Sequence, residues 1–425
     1  MRPLSRASIY ETRHTLSCKH RLGTVMLITT LVTGCGGPDQ GTGQEMTGTV
    51  TTSPIDAVAF QMNPAHTGSV QFSSVSLPAK SKWSVNVGGN ASYALIADGK
   101  VFVTVATSTA LQIVALDQST GAVVWGPIAV SGNAAYDSGT IFVGISASLE
   151  ALDAGTGSQL WTTTLPYSSS TPTAANGTVF VGPAGQVGSS RGTLLGVGYI
   201  SAIDEGTGAI NWSQGTLYGP RPPAVTAAGV YISGPCGTYD FLPASGSVAW
   251  SQNLTLYGCN EDYSEQGTIP VVANQLVYSF DAPDVNVDQA TEDTLDAYNA
   301  ATGSSTGTFS AVAPGAFTSD MGFFLQSGSI LQGISLSDGS VKWSFSGDGQ
   351  LADSPIVVNQ YVFIASAAGN LYALDANSGA PVWQVALGNA IVTGRPPLSG
   401  LAAGDGLLVV PAGQNVIAYT LSSNP

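Results

Sequence analysis

The stretch that decides the fold is Ala115–Trp125, ALDQSTGAVVW, because the chain keeps repeating it. Close copies, ALDAGTGSQLW, AIDEGTGAINW and ALDANSGAPVW, end at Trp161, Trp212 and Trp383. Looser copies end at Trp250, Gly307 and Trp343. In every copy a glycine lies four positions before the closing residue, and only Gly307 stands where the others have tryptophan. A repeat at this spacing determines the architecture before any single element is assigned.

Each copy has the composition of a β-hairpin. An apolar run ends near an Asp, a short turn rich in Ser, Thr and Asn leads to the glycine, and a second apolar run ends in Trp. The glycine supplies a positive φ, and Asp or Ser can bond to nearby backbone amides. A further β-rich run precedes each copy, such as Val101–Val103 or Val362–Ile364. Four strands per unit predict a propeller blade, with the Trp packed between neighbouring blades.

The number of units predicts eight blades. The closing positions have a mean period of about 43 residues, which is typical of four-stranded blades. The last unit, from Leu407 to Leu421, has no closing Trp of its own, whereas Trp83 has no strands before it. We therefore predict an all-β, eight-bladed propeller of four-stranded antiparallel blades, in which an N-terminal strand at residues 82–87 closes the ring. The predicted packing residues are Trp83, Trp125, Trp161, Trp212, Trp250, Trp343 and Trp383.

The N-terminus reads as a targeting segment. Five basic residues precede the apolar run Leu22–Val32, whose 11 residues are too few to span a bilayer. The run leads into Val32-Thr-Gly-Cys35, which resembles a bacterial lipobox, so we expect cleavage before Cys35 and lipidation of that residue. The alternative is an ordinary signal peptide with an incidental cysteine. Gly36 after the Cys implies, by the sorting rule of such lipoproteins, an outer membrane, where the protein would face the periplasm or the cell surface.

These features predict three regions: a lipoprotein signal peptide at 1–34, a Gly/Thr/Ser-rich flexible tether at 35–55, and the propeller at 56–425. Only 9% of the residues are charged, and the chain beyond residue 35 carries seven basic and 26 acidic residues. This strongly acidic balance argues against nucleic acids and anionic lipid surfaces as partners. Membrane attachment is therefore expected through acyl chains alone.

Two cysteines of the exported part, Cys236 and Cys259, are candidates for a disulfide. In a four-stranded meander, the loops after the second and fourth strands emerge on one face. Cys236 follows the second strand of its blade and Cys259 follows a fourth strand, so a bridge between them is feasible.

Three long segments depart from the repeat: 182–199, 254–266 and 280–295. By the same alternation they emerge on one face, which is our candidate binding face because loops on a rigid scaffold commonly carry function. Their candidate residues are Arg191, Glu261, Asp262, Glu265, Asp281, Asp284 and Asp288.

Candidates for catalysis or metal binding are few. Asp284, Asn286 and Asp288 have the spacing of a calcium loop, but the following Gly and the Glu twelve positions along are missing, which favours a solvated acidic loop. His66 is the only histidine after residue 35, so a multi-histidine metal site is excluded and a structural role is favoured. It lies in Phe60–Gly68, a segment expected to cover an edge or a face of the propeller.

The A-x-D-x-x-[TS]-G-x-x-x-W repeat resembles the pyrroloquinoline-quinone-type (PQQ-like) propeller family over roughly residues 58–421. One branch, the quinoprotein dehydrogenases, implies a quinone held in the central funnel by a disulfide of adjacent cysteines, a floor Trp, a calcium ion and a catalytic Asp. Cys236 and Cys259 are not adjacent, and no calcium ligands or base can be assigned. The other branch is BamB-like: a lipid-anchored outer-membrane propeller without a cofactor, with which this sequence shares the lipobox and the tether.

Three hypotheses of function follow. The favoured one is a non-catalytic, monomeric, lipid-anchored scaffold that binds a protein partner in the cell envelope and serves outer-membrane protein assembly. The second is a PQQ- or calcium-dependent oxidoreductase. The third is a carbohydrate-binding propeller, which an acidic loop face permits.

Overall fold

The computed structural model describes residues 55–166, 169–182, 197–217, 222–234, 237–253, 269–280, 294–391 and 398–422. These residues form 33 strands, numbered in chain order, and one short 3₁₀ helix, Phe60–Met62. The strands group into eight antiparallel sheets of four, to one of which an additional short strand is paired in parallel. This is the predicted eight-bladed β-propeller.

Each sheet is one blade, whose first strand lies nearest the axis and whose fourth strand lies outermost. Blades one to four are β3 Asn90–Ala97, β4 Lys100–Ala106, β5 Leu111–Asp117, β6 Val123–Val130; β7 Ala135–Asp137, β8 Thr140–Ile145, β9 Ser148–Asp153, β10 Gln159–Thr164; β11 Thr173–Ala175, β12 Thr178–Val181, β13 Val197–Asp204, β14 Ile210–Leu217; and β15 Ala224–Val225, β16 Val230–Gly234, β17 Gly237–Phe241, β18 Val248–Asn253.

Blades five to eight follow the same plan. They are β19 Val271–Ala273, β20 Leu276–Phe280, β21 Thr294–Asn299, β22 Ser305–Ser310; β23 Ala316–Phe317, β24 Met321–Gln326, β25 Ile330–Ser335, β26 Val341–Phe345; β27 Leu351–Val358, β28 Tyr361–Ser366, β29 Asn370–Asp375, β30 Pro381–Ala386; and β31 Ala402–Gly404, β32 Leu407–Ala412, β33 Asn415–Thr420, β2 Lys80–Asn86. The additional strand β1, Ser69–Val70, pairs with β27.

The eighth blade joins the two ends of the repeat array. Its outermost strand is β2, which pairs antiparallel with β33 so that Trp83 lies opposite Ala418. The Trp83 indole then donates to the carbonyl of Gln118 in the first blade, at 2.9 Å. The predicted N-terminal strand near Trp83 is therefore present, and it begins two residues earlier than expected.

The repeated turn owes its shape to its Asp and Gly. In the first blade the Asp117 carboxylate accepts hydrogen bonds from the Ser119 and Thr120 amides and from the Thr120 hydroxyl, at 2.8–3.0 Å. Gly121 follows with φ 74°, a region that favours glycine. The hydroxyl and amide donors of Thr120 lower the pKa of Asp117 because they stabilise its charged form.

The core consists of apolar side chains of the inner three strands of each blade, packed between neighbouring sheets. The outermost strands are half-exposed, as the alternating pattern of Gln159–Thr164 illustrates. Each blade is too thin to bury its own apolar surface, so stability depends on its neighbours.

Candidate functional site

The two faces of the propeller differ, and strand alternation defines them. One face carries the turns between first and second strands, such as Asp98–Gly99, and between third and fourth strands; we call it the plug face. The other carries the connections from second to third strands, such as Ser146–Ala147, and from each blade to the next; we call it the loop face.

The N-terminal segment 55–70, called the axial plug below, runs across the plug face. Its backbone hydrogen-bonds to seven of the eight blades, at the ends of their first strands, with distances of 2.7–3.1 Å. The pairs are Asp405 N–Ile55 O, Ala57 N–Ile96 O, Tyr136 N–Val58 O, Val225 N–Pro64 O, Val272 N–Ala65 O, Phe317 N–Thr67 O and Val357 N–Gly68 O. Because an unpaired buried amide is costly, the plug satisfies inner strand edges that the blades leave open.

The middle of the plug fills the axis. Gln61 is buried, and its side-chain amide donates to the carbonyls of Gly315 at 3.1 Å and Pro355 at 3.3 Å, in the sixth and seventh blades. Phe60 packs edge-on against Tyr93 of the first blade, with ring centroids 5.4 Å apart. The plug therefore bridges separate blades and covers a face, as the sequence suggested for this segment.

His66 is fully buried in the plug, and its Nδ1 lies 3.0 Å from the Pro270 carbonyl oxygen. A carbonyl only accepts, so Nδ1 carries the proton. Burial lowers the pKa of His66 to about 4, which keeps the ring neutral near pH 7. This neutral ring ties the plug to the fifth blade, and its geometry is that of a structural residue.

The loop-face end of the axis has a different lining. Asp353 lies in the first strand of the seventh blade with φ 74°, at a break in the strand register. Its carboxylate accepts from the Ser354 amide at 2.8 Å and the Ser399 hydroxyl at 2.9 Å. Desolvation raises the pKa of Asp353 to about 6. A strained backbone and a perturbed carboxyl group are features of functional positions.

Neutral polar groups extend this lining. The Asn133 side chain donates to Leu398 O at 3.1 Å, and the Tyr93 hydroxyl donates to Ala134 O at 3.0 Å. Sequence reasoning missed Asp353; the signal was the polar Asp353-Ser-Pro355 that interrupts an otherwise apolar inner strand.

The described strand ends that border the three long segments lie at the loop face. They are Val181 and Val197, Asn253, and Phe280 and Thr294. The residues proposed for this face lie outside the described residues: Arg191, Glu261, Asp262, Glu265, Asp281, Asp284, Asn286 and Asp288. The same holds for Cys35, Cys236 and Cys259.

The predicted packing tryptophans lie in outermost strands. Within the described ranges, six of them donate their indole N–H to a turn carbonyl of the following blade, and Trp383 stacks edge-on against Tyr419 at 5.3 Å. No helix in the described part of the chain has the length and apolar character to cross a membrane. Nor do the described side chains include a group of three His, Cys, Asp or Glu arranged to hold a metal ion.

Solved structures with the same fold have different functions. BamB from Moraxella catarrhalis superposes with a TM-score of 0.59 at 17% identity, over 80% of this chain and 99% of that one. Quinohemoprotein alcohol dehydrogenase from Comamonas testosteroni superposes with a TM-score of 0.66 at 13% identity, over 86% and 80%. The computationally designed Ika8 protein gives 0.61 at 13% identity, over 81% and 100%. At these identities the likeness establishes the fold alone.

The described axial residues do not fit pyrroloquinoline quinone. That cofactor is planar and carries carboxylates, which require cationic groups or a metal ion around them. Among the described residues near the loop-face end of the axis, Asp353 carries a carboxylate, which repels another carboxylate. The described tryptophans lie in outermost strands, away from the axis where a ring could stack on a quinone.

Sequence comparison identifies the family. No curated protein matches the chain. The family described as outer membrane protein assembly factor BamB matches residues 110–192, 196–343 and 291–423. These matches cover most of the repeat array, so the chain belongs to this BamB family of PQQ-repeat propellers.

Proposed function

We propose that this protein is a lipid-anchored scaffold of the bacterial cell envelope that binds a protein partner through its loop face and serves outer-membrane protein assembly. The observation that carries the proposal is the asymmetry of the two faces. The plug face is crossed by the chain's own segment 55–70, whereas the described strand ends that border the three long segments lie at the other face.

The path of the N-terminus supports a consistent orientation. The plug begins at Ile55, whose carbonyl accepts from the Asp405 amide on the plug face. A lipid on Cys35 would be joined to this point by 20 residues, which reach at most about 70 Å when fully extended. The described chain therefore enters the propeller at the plug face, which supports a partner site on the loop face.

A quinone-dependent oxidoreductase is the second candidate. The quinohemoprotein alcohol dehydrogenase shares the fold at 13% identity. Against it stand the Asp353 carboxylate near the loop-face end of the axis and the separation of Cys236 from Cys259 along the sequence. Saturable binding of the quinone in the presence of calcium, seen as an absorbance change, would favour it over the scaffold.

The decisive experiment captures the tagged full-length lipoprotein from native outer membranes after crosslinking and identifies the bound proteins by mass spectrometry. We expect an outer-membrane β-barrel assembly protein, and we expect its loss when residues 281–293 or 255–265 are replaced by a short Gly-Ser linker. The matched control is Asp320→Lys, a charge reversal at an exposed plug-face turn, which should leave capture unchanged.

The outcome can contradict the proposal in two ways. Capture that survives both loop replacements but is lost in Asp320→Lys would move the binding surface to the plug face. Capture of no assembly protein by the wild-type chain would reject the assembly role, and glycan and quinone titrations would then test the other hypotheses.

A further inference from the structure

Six of the seven tryptophans of the outermost strands dock on the following blade in the same way. In each of these six, the indole N–H donates to the turn carbonyl that follows the Asp position of the next blade, at 2.8–3.0 Å. The six pairs are Trp83–Gln118, Trp125–Ala154, Trp161–Glu205, Trp212–Pro243, Trp250–Ala300 and Trp343–Ala376.

The turn glycine of the next blade lies under the indole. A Cβ added to Gly121 would lie 2.8 Å from the Trp83 ring, and one added to Gly303 would lie 2.6 Å from the Trp250 ring. Such distances are too short for any side chain, so these glycines allow the ring to approach the backbone. The dock thus has two halves: a Trp on one blade, and a glycine turn with a free carbonyl on the next.

Between the fifth and sixth blades the Trp half is missing. Gly307 lies opposite Ala297, the register at which the other blades place their Trp. A Cβ built on Gly307 has no atom within 4 Å, and the same is true of Gly339, the turn glycine of the sixth blade. Gly339 is also exposed, whereas Gly121 and Gly303 in occupied docks are buried.

The receiving half is intact. The Gly339 amide donates to Ser335 O at 2.9 Å, as the Gly121 amide donates to Asp117 O at 2.8 Å. The Leu336 amide donates to Asp320 O at 2.9 Å, as the Gln118 amide donates to Gly99 O at 3.0 Å. The Leu336 carbonyl therefore has the backbone setting of the carbonyls that accept an indole elsewhere.

Side chains fill only the inner part of the interface between the fifth and sixth blades. Phe309 stacks on the fully buried Phe324 with ring centroids 5.2 Å apart, and Leu336 packs against the same cluster. Phe309 itself remains partly exposed. The outer part, next to Gly307 and Gly339, is open and has an apolar floor.

We propose that this notch, formed by Gly307, Phe309, Leu336 and Gly339, binds an indole ring whose N–H donates to the Leu336 carbonyl. The ring would lie over Gly339 as the Trp250 ring lies over Gly303. The ligand is the Trp side chain of a partner protein, because in all six occupied docks the indole is carried by a polypeptide strand that lies beside the receiving turn. This site is on the rim of the propeller and is separate from the loop face.

The test titrates 5-fluoroindole into the purified protein and follows it by ¹⁹F NMR. We expect one saturable site in the wild type. Gly307→Trp fills the notch from within, and its control is Gly307→Ala, which imposes the same backbone constraint at φ 151° without a ring. Binding should be at least about tenfold weaker in Gly307→Trp than in Gly307→Ala. Trp250→Gly opens an equivalent dock and should add a second site.

Either of two results would overturn the inference: no saturable binding by the wild type, or equal binding by Gly307→Trp and Gly307→Ala. If Gly307→Trp does not fold, the comparison of the wild type with Trp250→Gly still tests the inference. We expect one binding site in the wild type and two in Trp250→Gly. Once the site is established, a short peptide containing Trp and its Trp→Ala counterpart distinguish the sources. Competition with 5-fluoroindole by the Trp peptide supports a protein Trp as the occupant, whereas binding of 5-fluoroindole without competition by the peptide would reject it and indicate a small indole compound.

Discussion

Asp240 lies directly opposite Trp250 in the fourth blade, where five other blades place an alanine opposite their Trp and the sixth blade places Gly333. The Asp240 side chain is 3% exposed, and its Oδ1 has no hydrogen-bond partner among the described atoms. A Cβ on Gly229 would lie 2.2 Å from this oxygen, so the glycine makes room for the carboxyl group. A repeated small apolar position has thus been replaced by a buried acid.

Replacement of Asp240 by alanine should stabilise the protein. Burial raises the pKa of Asp240 to about 7 from an ordinary value of 3.8. An unsatisfied buried polar atom costs about 1–3 kcal/mol, and we expect Asp240→Ala to recover a gain of this order at pH 8. Urea unfolding measures it, with Asp240→Asn as the control that keeps the shape and removes the charge. A lower midpoint for Asp240→Ala would contradict the interpretation.

The same group predicts a dependence of stability on pH. A folded-state pKa above the unfolded value means that the folded protein binds the proton more tightly between pH 3.8 and about 7. The contribution of Asp240 to the free energy of unfolding is therefore fully present below pH 3.8 and is lost as pH rises to about 7. Subtraction of the Asp240→Ala curve from the wild-type curve should show this decline. A flat difference would show that the pKa of Asp240 is the same in the folded and unfolded states.

Shortening Gln61 should loosen the axial plug. Gln61→Asn keeps a residue that tolerates the φ of 48° but is one methylene too short to reach the Gly315 and Pro355 carbonyls. We expect a loss of about 1–3 kcal/mol in the free energy of unfolding. The control is Gln360→Asn at an exposed turn, which should change stability by less than about 0.5 kcal/mol. Equal effects of the two substitutions would argue against a stabilising plug.

Removal of a docked indole should be costly. The Trp125 indole is 8% exposed and donates to Ala154 O, so Trp125→Ala should lower the free energy of unfolding by about 3–5 kcal/mol. The neighbouring Val123 is 58% exposed, and Val123→Ala should change it by less than about 0.5 kcal/mol. Denaturant titration of both variants separates the effect of losing the docked indole from the effect of any substitution in this strand. Similar unfolding midpoints would mean that the indole contributes little to stability.

The lipobox predicts the fate of the N-terminus. Cys35→Ser should release the exported protein from the membrane fraction and abolish incorporation of labelled fatty acid, because lipidation is the proposed anchor. Cys18→Ser lies in the same leader before the apolar run and should leave both unchanged. A Cys35→Ser protein that stays in the membrane fraction would require another means of attachment.

Local periodicity is what the sequence could reveal. The spacing of Gly121 and Trp125, repeated along the chain, predicted the strand count, the turn chemistry and the position of the tryptophans. It also predicted the strand around Trp83 that the structure pairs with β33. The path of the axial plug could not be predicted, because its hydrogen bonds join residues far apart in the chain, such as Ile55 and Asp405. These bonds depend on the inner strands of seven blades converging on an axis.

The amino-acid sequence by itself determined the repeat, because each blade is a local hairpin pattern that the order of residues specifies. Only the tertiary structure decided what the exceptions to that repeat mean. Asp240 is a buried acid because it pairs with Trp250 on the neighbouring strand. Gly307 borders an open notch because the sixth blade retains a receiving turn beside it. Burial and complementarity are properties of two surfaces in contact, and a single stretch of sequence describes only one of them.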